Sequence, residues 1–186
     1  MTELIEYYKG IFTILSSCAS RQLEEVTFRR TVIPVQELLD AAGKYFKKSM
    51  KNRSERIELE IEPMEAKVIG DVNQLRFLLE NLIDEALTVR EDGVIRLQAR
   101  LDNEYIRFLF TDTRREKSVE ELNQLFYPNL ARMTSGEKGE LRGTEYLVCK
   151  QIIRDHDEFA GRRGCRINAE PAEGGGFTVY FTIPHR

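Results

Sequence analysis

A helical repeat between Asp71 and Ala86 constrains the fold more than any other feature of the sequence. Apolar residues recur there at steps of three and four over about four turns, which places them on one face of a helix. These positions are Leu75, Leu78, Leu79, Leu82, Ile83 and Ala86. Asp71, with Gln74 three residues later, forms a capping-box pattern that predicts where the helix begins. A helix with so continuous an apolar face needs a second layer to cover it.

Strand patterns flank this helix on both sides. Ile57, Leu59 and Ile61 alternate with glutamates, which is typical of a strand with one buried face and one solvent-exposed face. Hairpins are predicted at 95–101 with 106–110 and at 165–169 with 177–183. Further strands and helices are predicted at 31–35, 38–46, 68–69, 119–126 and 143–155. This order predicts an α+β two-layer sandwich, with a mixed, mostly antiparallel sheet and helices on one face.

Length and composition fit one domain with one core. The chain has 186 residues, 41% of them hydrophobic, and a net charge of only -3, so no basic surplus points to nucleic acid. The longest uncharged run near the start, 10–20, is shorter than the ~20 apolar residues of a membrane helix. Three cysteines without close spacing favour a reduced, cytoplasmic location and predict no metal site.

The residue pattern of 1–28 predicts a helix. The predicted domain follows it at 29–186. Leu4, Tyr8, Ile11, Leu15 and Cys18 alternate at steps of four and three, which is a short heptad stripe. This helix needs a partner. Packing against its own domain and pairing with a second chain, as in a homodimer, are both compatible with the stripe.

In this order the predicted elements resemble the ATP-binding domain of sensor histidine kinases and the wider GHKL superfamily, which shares the Bergerat-type ATP-binding fold. The resemblance covers residues 31–184. It depends on the segments GDVNQLRFLLENLIDEA, FTD, LNQLF, GTEYLVCKQIIRDH and GGGFTVYFTIP. It implies ATP and magnesium as ligands and a role in two-component signalling.

The resemblance implies a nucleotide site at Asn81, Glu85, Asp112 and Gly143. Asn81 matches the first of two asparagines in the family helix, and the second, which coordinates magnesium, is replaced by Glu85. Asp112 matches the aspartate that accepts a hydrogen bond from the adenine amino group. Gly143 is the glycine that remains of the second glycine-rich motif, which surrounds the phosphates.

The other glycines of both motifs are replaced by larger residues. Arg114 and Glu116 stand in the Asp-x-Gly-x-Gly motif, and Glu145 brings negative charge to the phosphate end. One hypothesis is that Arg114 or Arg115 turns inward and pairs with Asp112 or Glu85. The alternative is that both arginines are solvated on a loop.

The residues therefore predict a degenerate histidine-kinase-like domain, a pseudokinase without bound cofactor that acts in signalling or protein interaction. His156, at a helix end where a dipole contact explains it, and His185, beside the terminus, are not credible phospho-acceptors. The alternative is a functional ATP-binding kinase domain with Glu85 as a magnesium ligand and an acceptor histidine outside this chain. The sequence names no particular signalling partner.

Overall fold

A computed structural model describes residues 28–128 and 144–186, together with Ile5. Its main sheet has five strands in the order β2-β4-β5-β7-β6. Their bounds are β2 Ile57–Ile61, β4 Gly93–Asp102, β5 Tyr105–Asp112, β6 Ile167–Pro171 and β7 Phe177–Pro184. β2 and β4 are parallel and the other neighbouring pairs are antiparallel. The mixed, mostly antiparallel sheet and both predicted hairpins are confirmed.

Helices cover one face of this sheet. They are α1 Val35–Ser49, α2 Val72–Ala86, the short α3 Val119–Asn123 and α4 Glu145–Phe159. The apolar stripe of α2 is buried in one core with residues of α1, α4 and the sheet. Near the centre, the rings of Phe108 on β5 and Phe181 on β7 stack at 4.8 Å between centroids, and both are almost fully buried. The two-layer α+β class predicted from the sequence is therefore confirmed.

A second, two-stranded sheet lies beside the first. β1 Thr31–Pro34 pairs antiparallel with β3 Lys67–Gly70. Val68 of β3 also forms an isolated bridge with His185, which follows β7. The sequence predicts both short strands but not that they form a separate sheet.

The starts of α2 and α3 differ in which capping hydrogen bonds form. Asp71 caps α2, because its Oδ1 accepts hydrogen bonds from the backbone N–H groups of Asn73 (3.0 Å) and Gln74 (3.2 Å). The reciprocal half of the predicted capping box is absent, since Oε1 of Gln74 is buried without a hydrogen bond. A complete capping box forms at α3 between Ser118 and Glu121, and that helix ends at Asn123, before the predicted Phe126.

Part of the sequence-based prediction lies outside the described residues. Of the predicted helix at 1–28, the structure describes Ile5, which is helical and 51% exposed, and Phe28. In the described part of the chain, no helix has both the length and the apolarity to cross a membrane.

Candidate functional site

The predicted site residues come from two adjacent elements. Asn81 and Glu85 lie one turn apart on α2, and Asp112 ends β5, while Gly143 lies outside the described residues. Asn81 is only 8% exposed and its Nδ2 donates to the carbonyl of Phe77 at 2.7 Å. Its amide nitrogen is therefore used within the helix.

Arg114 turns inward and pairs with Asp112. Its Nε donates to Oδ1 of Asp112 at 2.9 Å and its Nη2 donates to Oδ2 at 2.8 Å, which is the bidentate geometry of strong arginine–carboxylate pairs. The exposed fractions of the two side chains are 1% and 5%. Of the pairings considered from the sequence, Arg114 with Asp112 is the one confirmed.

The rest of the Arg114 guanidinium binds backbone carbonyls. Nη2 donates to Ala86 at 2.6 Å, and Nη1 donates to Val89 at 3.1 Å and Glu91 at 3.0 Å. These carbonyls belong to the end of α2 and the loop that follows it. With the two bonds to Asp112, all five guanidinium N–H groups are used. Arg114 thus joins the end of β5 to the end of α2.

Arg115, the next residue, points the other way. Its Nη2 donates to Oε1 of Glu91 at 2.6 Å, and the two side chains are 54% and 47% exposed. The hydrogen bond to Glu91 raises the pKa of Arg115. The solvated alternative therefore describes Arg115, and not Arg114.

Two glycines give Arg114 and Asp112 their space. Gly93, at φ 146°, lies under the arginine stem, and a Cβ there would come within 2.6 Å of Cγ of Arg114. Gly176, at φ 83°, lies so close to the backbone of Asp112 that a Cβ would collide with it. Both positions therefore require glycine for conformation as well as for space.

Carboxylates gather where α2 approaches the start of α4. Tyr45 of α1 donates to Oδ1 of Asp84 at 2.7 Å. Burial raises the pKa of Asp84; the bond from Tyr45 opposes this rise, and the charge of Glu145 adds to it. Burial also raises the pKa of Cys149, and the charges of Glu145 and Glu85 raise it further. Asp84, Glu85 and Glu145 therefore make this end of the site negative.

Glu145 is the least satisfied member of this acidic group. It lies in the first turn of α4, where its charge favours the helix dipole. Its Oε2 is nevertheless buried and accepts no hydrogen bond from any described residue. Within 28–128 and 144–186, no cluster of His, Cys, Asp and Glu side chains has the arrangement needed for a metal ion.

His156 corrects one interpretation of the sequence. It is fully buried, and its Nε2 accepts a hydrogen bond from the backbone N–H of Asp71 at 3.1 Å. The proton must then be on Nδ1, which donates to the carbonyl of Ile152 at 2.8 Å. Burial lowers the pKa of His156 to about 4. This histidine is therefore neutral and structural, and the hydrogen bonds to Ile152 and Asp71 explain it better than the dipole contact inferred from the sequence.

The five-stranded mixed sheet with helices on one face is the GHKL ATP-binding fold. The family described as histidine kinase-, DNA gyrase B-, and HSP90-like ATPase matches residues 70–186. The chain belongs to this family. No curated protein matches its sequence.

Solved structures of histidine kinases share the fold. The catalytic domain of histidine kinase ThkA, in a nucleotide-free form, is 21% identical with a TM-score of 0.63, over 84% of this chain and 97% of that one. The mycobacterial sensor histidine kinase MprB is 19% identical with a TM-score of 0.64, over 85% and 99%. ThkA in complex with the response regulator protein TrrA is 19% identical with a TM-score of 0.67, over 95% and 47%.

Proposed function

We propose that this chain is a non-catalytic histidine-kinase-like ATPase domain that binds no nucleotide and acts as a signalling or protein-interaction module. The observation that carries the proposal is the side chain of Arg114, which uses both carboxylate oxygens of Asp112. In the family this aspartate accepts a hydrogen bond from adenine. A nucleotide would have to displace a guanidinium group whose every N–H is already bonded.

The phosphate end supports the same conclusion. Asp84, Glu85 and Glu145 present negative charge where a triphosphate would lie, and two like charges about 4 Å apart repel by ~4 kcal/mol at an effective dielectric constant near 20. Without a compensating cation, this repulsion would weaken the binding of a triphosphate. The charge at this end therefore supports the proposal that the domain binds no ATP.

The module is proposed to be cytoplasmic and to dimerise through residues 1–28, which carry the heptad stripe. His156 is fully buried and both of its ring nitrogens are hydrogen-bonded, so it offers no acceptor for a phosphoryl group. ThkA was solved with a response regulator, which makes a protein of that class a reasonable first partner to test. Light scattering on a chain lacking residues 1–28 tests the dimer, because an unchanged mass would exclude that helix as the contact.

A second candidate function is favoured by the retention of Asn81 and Asp112. In it the domain binds ATP with Glu85 as an unusual magnesium ligand, since carboxylate oxygens suit that ion. The phosphorylated histidine would then lie outside this chain. Retained polar residues also have structural uses here, as the bonds of Asn81 to Phe77 and of Asp112 to Arg114 show.

Calorimetric titration with ATP and magnesium separates the two functions. We expect no saturable heat from the wild type at concentrations up to about 1 mM, where binding free energies are only about -4 kcal/mol. Saturable micromolar binding that Asp112→Asn abolishes would instead establish the second function.

Restoring the glycine of the family motif tests the role of Arg114 directly. Arg114→Gly should gain binding of adenosine, because it frees Asp112, whereas Arg115→Gly removes the neighbouring exposed arginine and should gain none. ATP should bind Arg114→Gly no more tightly than adenosine does, because the carboxylates at the other end remain. If Arg115→Gly gained adenosine binding equally, Arg114 would not be what closes the site.

A further inference from the structure

Strand β2 forms one edge of the main sheet, and its outer side pairs with no described strand. Its inner side pairs in parallel with β4, where the carbonyl of Arg56 accepts from Gly93 and the N–H of Glu62 donates to Leu97. Because backbone groups alternate sides along a strand, those of Ile57, Leu59 and Ile61 point to the open edge. This edge can accept one more strand.

A groove runs along this edge between β2 and helix α1. Its volume is about 760 Å³, and its floor is apolar, with Leu59, Ile61 and Phe46 among the lining residues. Gly43 lets the helix lie close to the strand, because a Cβ there would come within 3.1 Å of Cδ1 of Ile61. Its rim is polar, with the exposed side chains of Asp40, Lys44 and Lys47 among the lining residues. An added strand would therefore place every second side chain over an apolar floor.

The other face of β2 carries a row of glutamates. Glu60 pairs with Arg96 of β4 at 2.9 Å and Glu62 pairs with Arg100 at 2.7 Å, while Glu58 is exposed and has no ion pair within the described residues. A strand added to this edge would place its other side chains beside these carboxylates. Opposite charges at such cross-strand positions are stabilising and like charges are destabilising.

We propose that the open edge of β2 is a docking site for an extended peptide segment in which basic residues alternate with apolar ones. The backbone of the segment would pair with Ile57, Leu59 and Ile61, its apolar side chains would enter the groove, and its basic side chains would lie beside the glutamates. Main-chain bonds at a sheet edge supply affinity, and the alternating side chains supply specificity.

The same charges disfavour a second copy of this chain as the occupant. Two β2 strands paired antiparallel about a twofold axis would place glutamate beside glutamate along one face. Repulsion between these like charges would protect the exposed edge from pairing with itself. The partner is thus a different sequence with the opposite charge. The outer side of β2 faces away from β5, where Asp112 lies two strands further in, and the site does not depend on the proposed loss of nucleotide binding.

Fluorescence anisotropy with a labelled synthetic peptide of about nine residues, alternating Lys and Val, tests this site. We expect saturable binding to the full chain and little binding of a matched peptide that alternates Glu and Val. Leu59→Pro removes an outward N–H without removing a bond to β4, and it should weaken binding about tenfold. Glu58→Lys should shift the preference toward the Glu–Val peptide, and it keeps the test valid if the proline variant is unstable.

Amide hydrogen exchange on the wild type supplies the second readout. The amides of Ile57, Leu59 and Ile61 should become protected when the Lys–Val peptide is added. No binding of that peptide at about 1 mM, or equal binding by wild type, Leu59→Pro and Glu58→Lys, would overturn the proposal. So would a dimer of the wild type that Leu59→Pro converts to a monomer, because the occupant would then be a second copy.

Discussion

The buried pair of Arg114 and Asp112 makes a strong prediction about stability. Arg114→Met removes the guanidinium group and leaves the carboxylate of Asp112, only 5% exposed, without its partner. The carbonyls of Val89 and Glu91 lose the donors that Arg114 supplies, and the carbonyl of Ala86 keeps only the backbone N–H of Val89 at 3.3 Å. Breaking a buried ion pair by removing one member typically costs about 3–5 kcal/mol, because an uncompensated charge remains.

A loss of this size is large for a domain of this kind. Natural domains unfold with about 5–15 kcal/mol, so Arg114→Met should remove a substantial part of the total. For a chain of this length the melting temperature should fall by roughly 6–20 °C. Urea unfolding followed by circular dichroism at pH 7 measures the free energy, and calorimetry measures the melting temperature.

The double variant Asp112→Leu/Arg114→Met separates charge from packing. Replacing both members by apolar residues leaves no buried charge, so it should be more stable than the sum of the two single changes predicts, by about 2 kcal/mol or more. Arg115→Met is the matched control, since its ion pair is exposed, and it should change stability by less than ~0.5 kcal/mol. If Arg114→Met lay within about 1 kcal/mol of wild type, the pair would not hold the site together.

Three further changes test other parts of the fold by urea unfolding. The pKa of His156 in the folded chain is about 4, below its ordinary 6.5, so the unfolded chain binds the proton more tightly. The free energy of unfolding should therefore fall by about 3 kcal/mol as the pH is lowered from 6.5 to 4, and His156→Gln should reduce this fall. Asp71→Ala, which removes the cap of α2, should cost about 1–2 kcal/mol, and a cost near zero would contradict the capping role. Phe108→Ala should cost about 3–5 kcal/mol, whereas Leu101→Ala, 61% exposed, should cost less than about 0.5.

The elements that the sequence predicts well are those set by local periodicity. The helix after Asp71 and both hairpins follow from spacing alone, because each buries one face and exposes the other. The separate sheet of β1 and β3 could not be predicted, because each strand is short and which strand it pairs with depends on chain segments far apart in sequence.

The burial of His156 could not be predicted from local sequence for a related reason. A histidine near a helix end is ordinarily explained by the helix dipole, and nothing nearby in sequence indicates that this one is enclosed. The structure packs the ring of Phe28 edge-on against it at 4.8 Å and places the backbone of Asp71 against its Nε2. Both contacts come from far along the chain, so only the folded structure reveals that the imidazole must be neutral.

In the site, the sequence could propose an inward arginine but could not choose between Arg114 and Arg115. The choice depends on three carbonyls at the end of α2 and in the loop that follows it, which lie 23 to 28 residues before Arg114. Gly93, the first residue of β4, leaves room for the arginine stem. Arg114 thus stands at a glycine position of the family motif, and its side chain has room because Gly93, outside that motif, is a glycine.

The location of these bonds explains why an arginine suits the site. Ala86 ends α2, so its carbonyl is among the last ones of the helix, which have no partner within it. This carbonyl accepts a long bond from the backbone N–H of Val89 at 3.3 Å, and Arg114 adds a shorter one at 2.6 Å while also neutralising Asp112. Wild-type stability therefore needs no ligand at this position. Arg114→Gly, which opens the site, should destabilise the domain. It should also make the free energy of unfolding depend on added ligand, because a ligand that binds the folded state restores part of the lost stability.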